Sequence, residues 1–165
     1  MAASILNKRT LFLLQKRGWV VRRNILPHTK EVTIESVHDH IKSDASLKSY
    51  RKDCELRESV FDPKHSKEYR WHRDRPFIPL PSFSLAPPLK WVLIFPKDTI
   101  LIPHYTSTQL ISGTHDPRNL LKYCRVVSPL LNVGDVLAFD AQLLHRKPYD
   151  AHFSNRKCFK VELRK

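Results

Sequence analysis

Apolar residues along this chain change rhythm several times, and each change marks an element. Residues 8–17 carry a pattern suited to a short helix, with Gly18 placed as its C-terminal cap. "WVVRRNIL", 19–26, is rich in strand formers and stops at Pro27. Thr29 is placed to cap a helix over about 30–43, in which Ile34, Val37 and Ile41 share one face. A helical or irregular stretch is expected over about 45–60, which makes the N-terminal third mostly helical with one strand.

Beyond Pro63 short β-like runs alternate with turn residues: "EYRWHRD", "KWVLIF", "TILI", "TSTQLI", "YCRVV", "VLAFDAQLLHR" and "KCFKVELR". Such a series points to a sandwich or a closed roll. The chain has only three glycines against twelve prolines, so prolines make many of the turns. "RPFIPLPSFSLAPPL", 75–89, has no regular pattern and is expected to be a long loop bordering a pocket. No repeat and no second domain is apparent, and 165 residues suit one domain, 1–165.

Composition narrows the class. No apolar run reaches membrane-spanning length, because "LFLL" and "WVLIF" are far too short. Cys54, Cys124 and Cys158 are odd in number and lack a CxxC spacing, which favours buried thiols in a reducing, intracellular and cytoplasmic setting. The net charge of +13 favours an anionic partner: nucleic acid, a phosphate-bearing substrate or an acidic surface. These charges are spread, and no zinc-finger or RNA-recognition signature accompanies them. Seven Lys or Arg precede the first acid, Glu31, a bias also found in mitochondrial transit peptides. The helix–cap–strand pattern over the same residues instead marks folded domain.

The chemistry-bearing residues come next. In a strand, residues two apart face the same way, so His72 and Asp74 of "YRWHRDR" point together, with Arg73 on the other face. One imidazole and one carboxylate can hold two adjacent positions on a metal. Two histidines and a carboxylate with open positions characterise non-haem Fe(II) oxygenases. With nine histidines and sixteen acids, about one His-x-Asp arises by chance, so the pair alone decides nothing. "GDVLAFDAQLLHRKPYDAHFSNR", 134–156, adds more. His145 ends an apolar run, where a core strand delivers a side chain to a cavity rim. Arg156 begins a terminal strand eleven residues later, and a guanidinium there can grip a carboxylate with two hydrogen bonds.

These motifs, with "SGTH" at 112–115 and the opening "LLQKRGWVVRRNILP", resemble the phytanoyl-CoA dioxygenase-like family of Fe(II)/2-oxoglutarate oxygenases over roughly residues 8–164. The resemblance implies a mainly β fold, a double-stranded β-helix (a jelly-roll or cupin-like barrel) with supporting N-terminal helices. It implies His72, Asp74 and His145 as iron ligands and Arg156 as the residue that binds the distal carboxylate of 2-oxoglutarate, with Ser154 as a weaker candidate. The implied reaction hydroxylates a small-molecule or acidic substrate and releases succinate and carbon dioxide. The competing expectation is a catalytically idle basic barrel that binds nucleic acid or an acidic protein surface.

Further residues carry structural expectations. His38, Asp39 and His40 are expected at the surface, His115 in a structural role, and Trp71 and Trp91 in the core. Strict alternation puts Lys160 and Glu162 on the inward face with Arg156, so either those charges pair or the strand carries a bulge.

Overall fold

The computed structural model describes residues 4–26, 31–59, 69–75, 89–104, 106–119, 125–147 and 156–165; at 53–59 and 156 it describes the backbone. The opening follows the sequence pattern closely. Helix α1 spans Lys8–Arg17, with Asn7 accepting from Thr10 N at its start and Gly18 at φ 84° closing its end. Strand β1, Trp19–Arg22, follows directly. Helix α2 covers Ile34–Ser43, and its cap is Thr33 rather than Thr29: Thr33 and Ser36 bond each other's backbone in a reciprocal box. Val37 and Ile41 are buried on α2 as expected, but Ile34 in the first turn is exposed, and His40, expected at the surface, is buried.

The largest departure follows. A 3-10 turn at Ala45–Leu47 leads into a nine-residue strand, β2, Arg51–Ser59, where helix or irregular chain was expected. Its charged sequence gives little local signal. Long-range pairing decides its conformation, because β2 runs antiparallel to the last strand from Arg51↔Arg164 to Ser59↔Arg156. As an edge strand it tolerates charge that a central strand would not.

The remaining strands are β3 (Leu89–Pro96), β4 (Gln109–Ser112), β5 (Arg125–Val127), β6 (Val136–Asp140), β7 (His145–Arg146) and β8 (Arg156–Arg164). They form a five-stranded sheet in the order β1-β6-β3-β8-β2 and a three-stranded sheet in the order β5-β4-β7, with every pairing antiparallel. "TILI" shortens to a single bridge, Leu101↔Leu131, and "EYRWHRD" to a single bridge, His72↔His145. Most of the proline-rich segment, 76–88, and the start of "YCRVV" lie outside the described residues.

The large sheet is buried on both faces, and alternation sorts its side chains. Trp91, Leu93 and Phe95 of β3, Val136 and Ala138 of β6, and Phe159, Val161 and Leu163 of β8 pack under the helices with Ile5, Leu14, Val37 and Ile41. Val92 and Ile94, Leu137 and Phe139, and Cys158 point the other way, toward Leu110, Leu131 and Leu143 in the second layer. The near-continuous apolar runs of β3 and β6 follow from this double burial. Each fully buried large side chain contributes roughly 1.5–3 kcal/mol.

The first segment is tied into this core. Ile5 is buried, and its amide donates to Asp44 Oδ2 at 2.7 Å. Residues 5–26 are thus integral to the folded unit, which favours the folded-domain reading of that basic stretch. Asp44 also accepts from the Ser46 amide and hydroxyl at 2.8 and 2.7 Å. Burial works to raise its pKa, but these donors outweigh it and hold the carboxyl below its ordinary value. A depressed carboxylate stabilises the fold above its unfolded pKa of about 3.9 and loses that contribution as pH falls through the lower folded value. Asp44→Ala should therefore cost about 1–3 kcal/mol at pH 7 by urea unfolding, with the difference from wild type shrinking below about pH 4.

Candidate metal centre

His145 sits where the small sheet meets the cavity between the layers. β7 pairs with β4 on one side, through Gln109↔Arg146 and Leu110↔His145. On its other side it takes His72 as a partner: the His72 amide donates to the His145 carbonyl and the His145 amide to the His72 carbonyl, both at 3.0 Å. This exchange sets the two imidazoles side by side, with ring centroids 4.3 Å apart. Asp74 lies two residues on and faces the same space, while the Arg73 guanidinium turns away to donate to the Thr114 carbonyl at 3.2 Å. The expected division of faces is present, although one bridge replaces the expected strand. The Arg75 amide, donating to Ala141 at 2.9 Å, pins the other end of this segment.

Both imidazoles are oriented by carbonyl groups. His72 Nδ1 lies 2.8 Å from the Arg70 carbonyl and His145 Nδ1 lies 2.9 Å from the Leu143 carbonyl. A carbonyl can only accept, so each Nδ1 carries the proton and each Nε2 presents a lone pair in the neutral ring. Those Nε2 atoms aim at Asp74: His72 Nε2 is 3.8 Å from Oδ1 and His145 Nε2 is 3.6 Å from Oδ2. Both distances are too long for hydrogen bonds. The donor atoms of His72, Asp74 and His145 all lie within 4.8 Å of one another.

Burial and near neighbours set the charge states of these groups. Burial, and then the neighbouring His145, push the His72 imidazole below its ordinary pKa, which keeps it neutral. Burial works to raise the Asp74 carboxyl, but His145 and Lys160 outweigh it and hold it well below the usual carboxylate range. Asp74 Oδ2 is buried without a hydrogen-bond donor. Lys160 Nζ lies 3.2 Å from it, in charge contact. Three electron-pair donors that converge without satisfying one another fit a divalent metal ion, with carbonyl groups orienting the imidazoles from behind.

The surrounding cavity, about 70 Å³, is lined by all three residues and by Ile94, Phe139 and Cys158, with Thr108, Arg146, Lys147 and Lys160 as its polar members. Phe139 packs against the His145 ring at 4.7 Å between centroids. The sequence reading missed Thr108, Phe139, Arg146 and Lys147. Phe139 and Arg146 had a usable signal: each lies at an inward or adjoining position of the segment already chosen for His145. Arg146 donates from Nε to Gln109 Oε1 at 2.7 Å and covers the Trp71 ring at 4.6 Å. Trp71 therefore belongs to the site's rim, while Trp91 is in the core as expected, donating to the Tyr50 hydroxyl.

Position 156 opens β8, opposite Ser59 and two residues before Cys158. Its side chain, and all of Ser154, lie outside the described residues. Lys160 and Glu162 do face inward. β8 keeps unbroken register with β2, and the only shift against β3 lies at Leu89/Trp91, so pairing rather than a bulge in β8 resolves the conflict. Lys160 Nζ is 3.0 Å from Glu162 Oε1 as well as close to Asp74.

The "SGTH" turn supports the site from outside. Gly113 donates to the Arg17 carbonyl, and Thr114 Oγ1 accepts from the Leu144 amide at 2.9 Å, immediately before His145. His115 is structural: its Nε2 meets the Gln15 carbonyl at 2.9 Å. Cys158 is a free buried thiol. Among the described residues no helix is long and apolar enough to cross a membrane.

The fold has counterparts among solved structures. The chain matches SnoK, a non-heme alpha ketoglutarate dependent carbocyclase from nogalamycin biosynthesis, at TM-score 0.55 and 10% identity over 96% of this chain and 84% of that one. It matches HygX from Streptomyces hygroscopicus, solved with nickel and 2-oxoglutarate bound, at TM-score 0.55 and 12% identity over 96% and 86%. It matches a Pseudomonas putida prolyl-4-hydroxylase at TM-score 0.55 and 10% identity over 99% and 97%. At such identities the likeness shows the fold, which is the double-stranded β-helix of 2-oxoglutarate oxygenases. No family model and no curated protein sequence matches the chain.

Gly18 ties the supports to the centre. A Cβ there would lie 2.5 Å from His115 Nδ1 and 2.6 Å from Leu143 Cδ1, and the backbone is at φ +84°. Gly18→Ala should destabilise the fold by more than about 1 kcal/mol in thermal unfolding, and should weaken any metal binding through His145, because the Leu143 carbonyl orients that ring.

Proposed function

We propose that this protein is an Fe(II)/2-oxoglutarate-dependent dioxygenase that hydroxylates a small-molecule substrate. The observation that carries the reading is the convergence of His72 Nε2, His145 Nε2 and an Asp74 oxygen, unsatisfied by one another, inside a double-stranded β-helix. Those three residues hold the ion, and Arg156 binds the distal carboxylate of 2-oxoglutarate. The motif resemblance to the phytanoyl-CoA dioxygenase-like family supports both assignments.

When bound, ferrous ion and 2-oxoglutarate supply oxygen-dependent chemistry that splits the keto acid to succinate and carbon dioxide and oxidises a C–H bond of the substrate. The chain's own part is binding and orientation. The carbonyl groups of Arg70 and Leu143 keep both Nε2 lone pairs turned inward. The ionised Asp74 gives the ligand set its negative charge. Ile94 and Phe139 keep the inner wall apolar and limit water. Lys160, Arg146 and Lys147 line the same cavity with positive charge, which suits an anionic cosubstrate.

The direct test measures succinate formed from 2-oxoglutarate with Fe(II), oxygen and a panel of small molecules. Wild type should form succinate, and His72→Ala should lose turnover together with metal affinity. That loss should exceed the 10–100-fold typical of changes behind the ligands. Metal affinity unchanged in His72→Ala defeats the ligand assignment. Arg156→Ala should raise the KM for 2-oxoglutarate by roughly 10–100-fold while metal affinity without cosubstrate stays within about threefold.

A further inference from the structure

Lys160 is an unusual neighbour for a metal ligand set. It projects from the middle of β8 into the cavity, on the same face as Cys158. Its ammonium lies 3.2 Å from Asp74 Oδ2 and 3.0 Å from Glu162 Oε1, with only 17% of the side chain exposed. Glu162 has a second cation of its own, since Arg164 Nη2 donates to its Oε2 at 2.7 Å. At Asp74 the ammonium of Lys160 stands within ion-pair distance. The ammonium therefore occupies the charge environment that a divalent ion requires.

Resting on the proposed metal site, we infer that Lys160 is a tethered counter-ion of Asp74, a positioning residue that a divalent cation must displace and that lowers the affinity of the site. Two effects act in the same direction. A metal ion drawn to Asp74 loses whatever attraction already joins Asp74 to Lys160. It also enters beside a fixed positive charge in a largely buried site, where like charges repel more strongly than in bulk. Displaced from Asp74, the ammonium keeps Glu162 as a partner, so its release leaves no buried charge unpaired. The site is thereby stable without metal and gives up its ion more readily than a set of two histidines and one aspartate standing alone.

The test titrates the full-length chain with Mn(II) alone, without oxygen or cosubstrate, by calorimetry. Lys160→Met removes the charge at similar length, and Lys160→Arg keeps it. Lys160→Met should bind Mn(II) at least about tenfold more tightly than wild type, equivalent to about 1.4 kcal/mol. Lys160→Arg should stay within about threefold of wild type. A merely structural Lys160 gives the opposite sign, because loosening the site weakens binding. If Lys160→Met fails to fold by circular dichroism, Lys160→Gln, which can still bond to Glu162, carries the same expectation. Wild-type binding with equal or weaker binding in the neutral variant overturns the inference and leaves the metal site standing. No Mn(II) uptake by any of these proteins overturns both.

Discussion

The antiparallel bridge between His72 and His145 brings together residues 73 positions apart through two backbone hydrogen bonds. Without it the two imidazoles have no reason to share a cavity. Its location is set by β7, which has a paired strand on one flank and exposes its other flank to the segment around residue 72. β7 is in turn fixed from below by the Leu143 and Leu144 contacts, so the accuracy of the site derives from backbone geometry. Side chains then need only small adjustments, which suits the proposed metal centre, whose donor atoms must converge on one point.

The two-sided burial of the large sheet provides the rigid wall behind this arrangement. On β3 and β6 both faces are apolar, and alternation divides them between the helical layer and the cavity. β8 differs. Its helix-facing residues Phe159, Val161 and Leu163 are apolar, whereas its cavity-facing series includes Cys158, Lys160 and Glu162. The charges on that face are affordable because they pair with each other, with Asp74 and with Arg164. A single strand thus supplies core on one side and site electrostatics on the other.

Much of this was legible in the sequence, because it depends on local patterns. α1 and its glycine cap, β1, the shared face of His72 and Asp74, and the inward charges of β8 all follow from periodicities of 3.6 or 2. The fold class followed from the count of short strands together with the motif resemblance. β2 was not legible: its charged residues read as irregular chain, and only pairing with β8 makes them a strand. Thr33 displaced Thr29 as the α2 cap because Ser36 completes the box with it. Thr114, anchoring Leu144 across 30 residues, is a product of tertiary contact that no spacing rule announces. In the sequence Lys160 reads as a charge needing a partner, but its pairing with Asp74 arises only where the two segments meet.

The proposed function requires that His72, Asp74 and His145 form one ferrous site open to a keto acid. An anaerobic Fe(II) titration in the presence of 2-oxoglutarate tests it most directly, followed by the weak visible charge-transfer absorption of the ternary complex. The band should saturate at one iron per chain and be absent in Asp74→Ala. No band in the folded wild-type protein, or an equal band in Asp74→Ala, contradicts it.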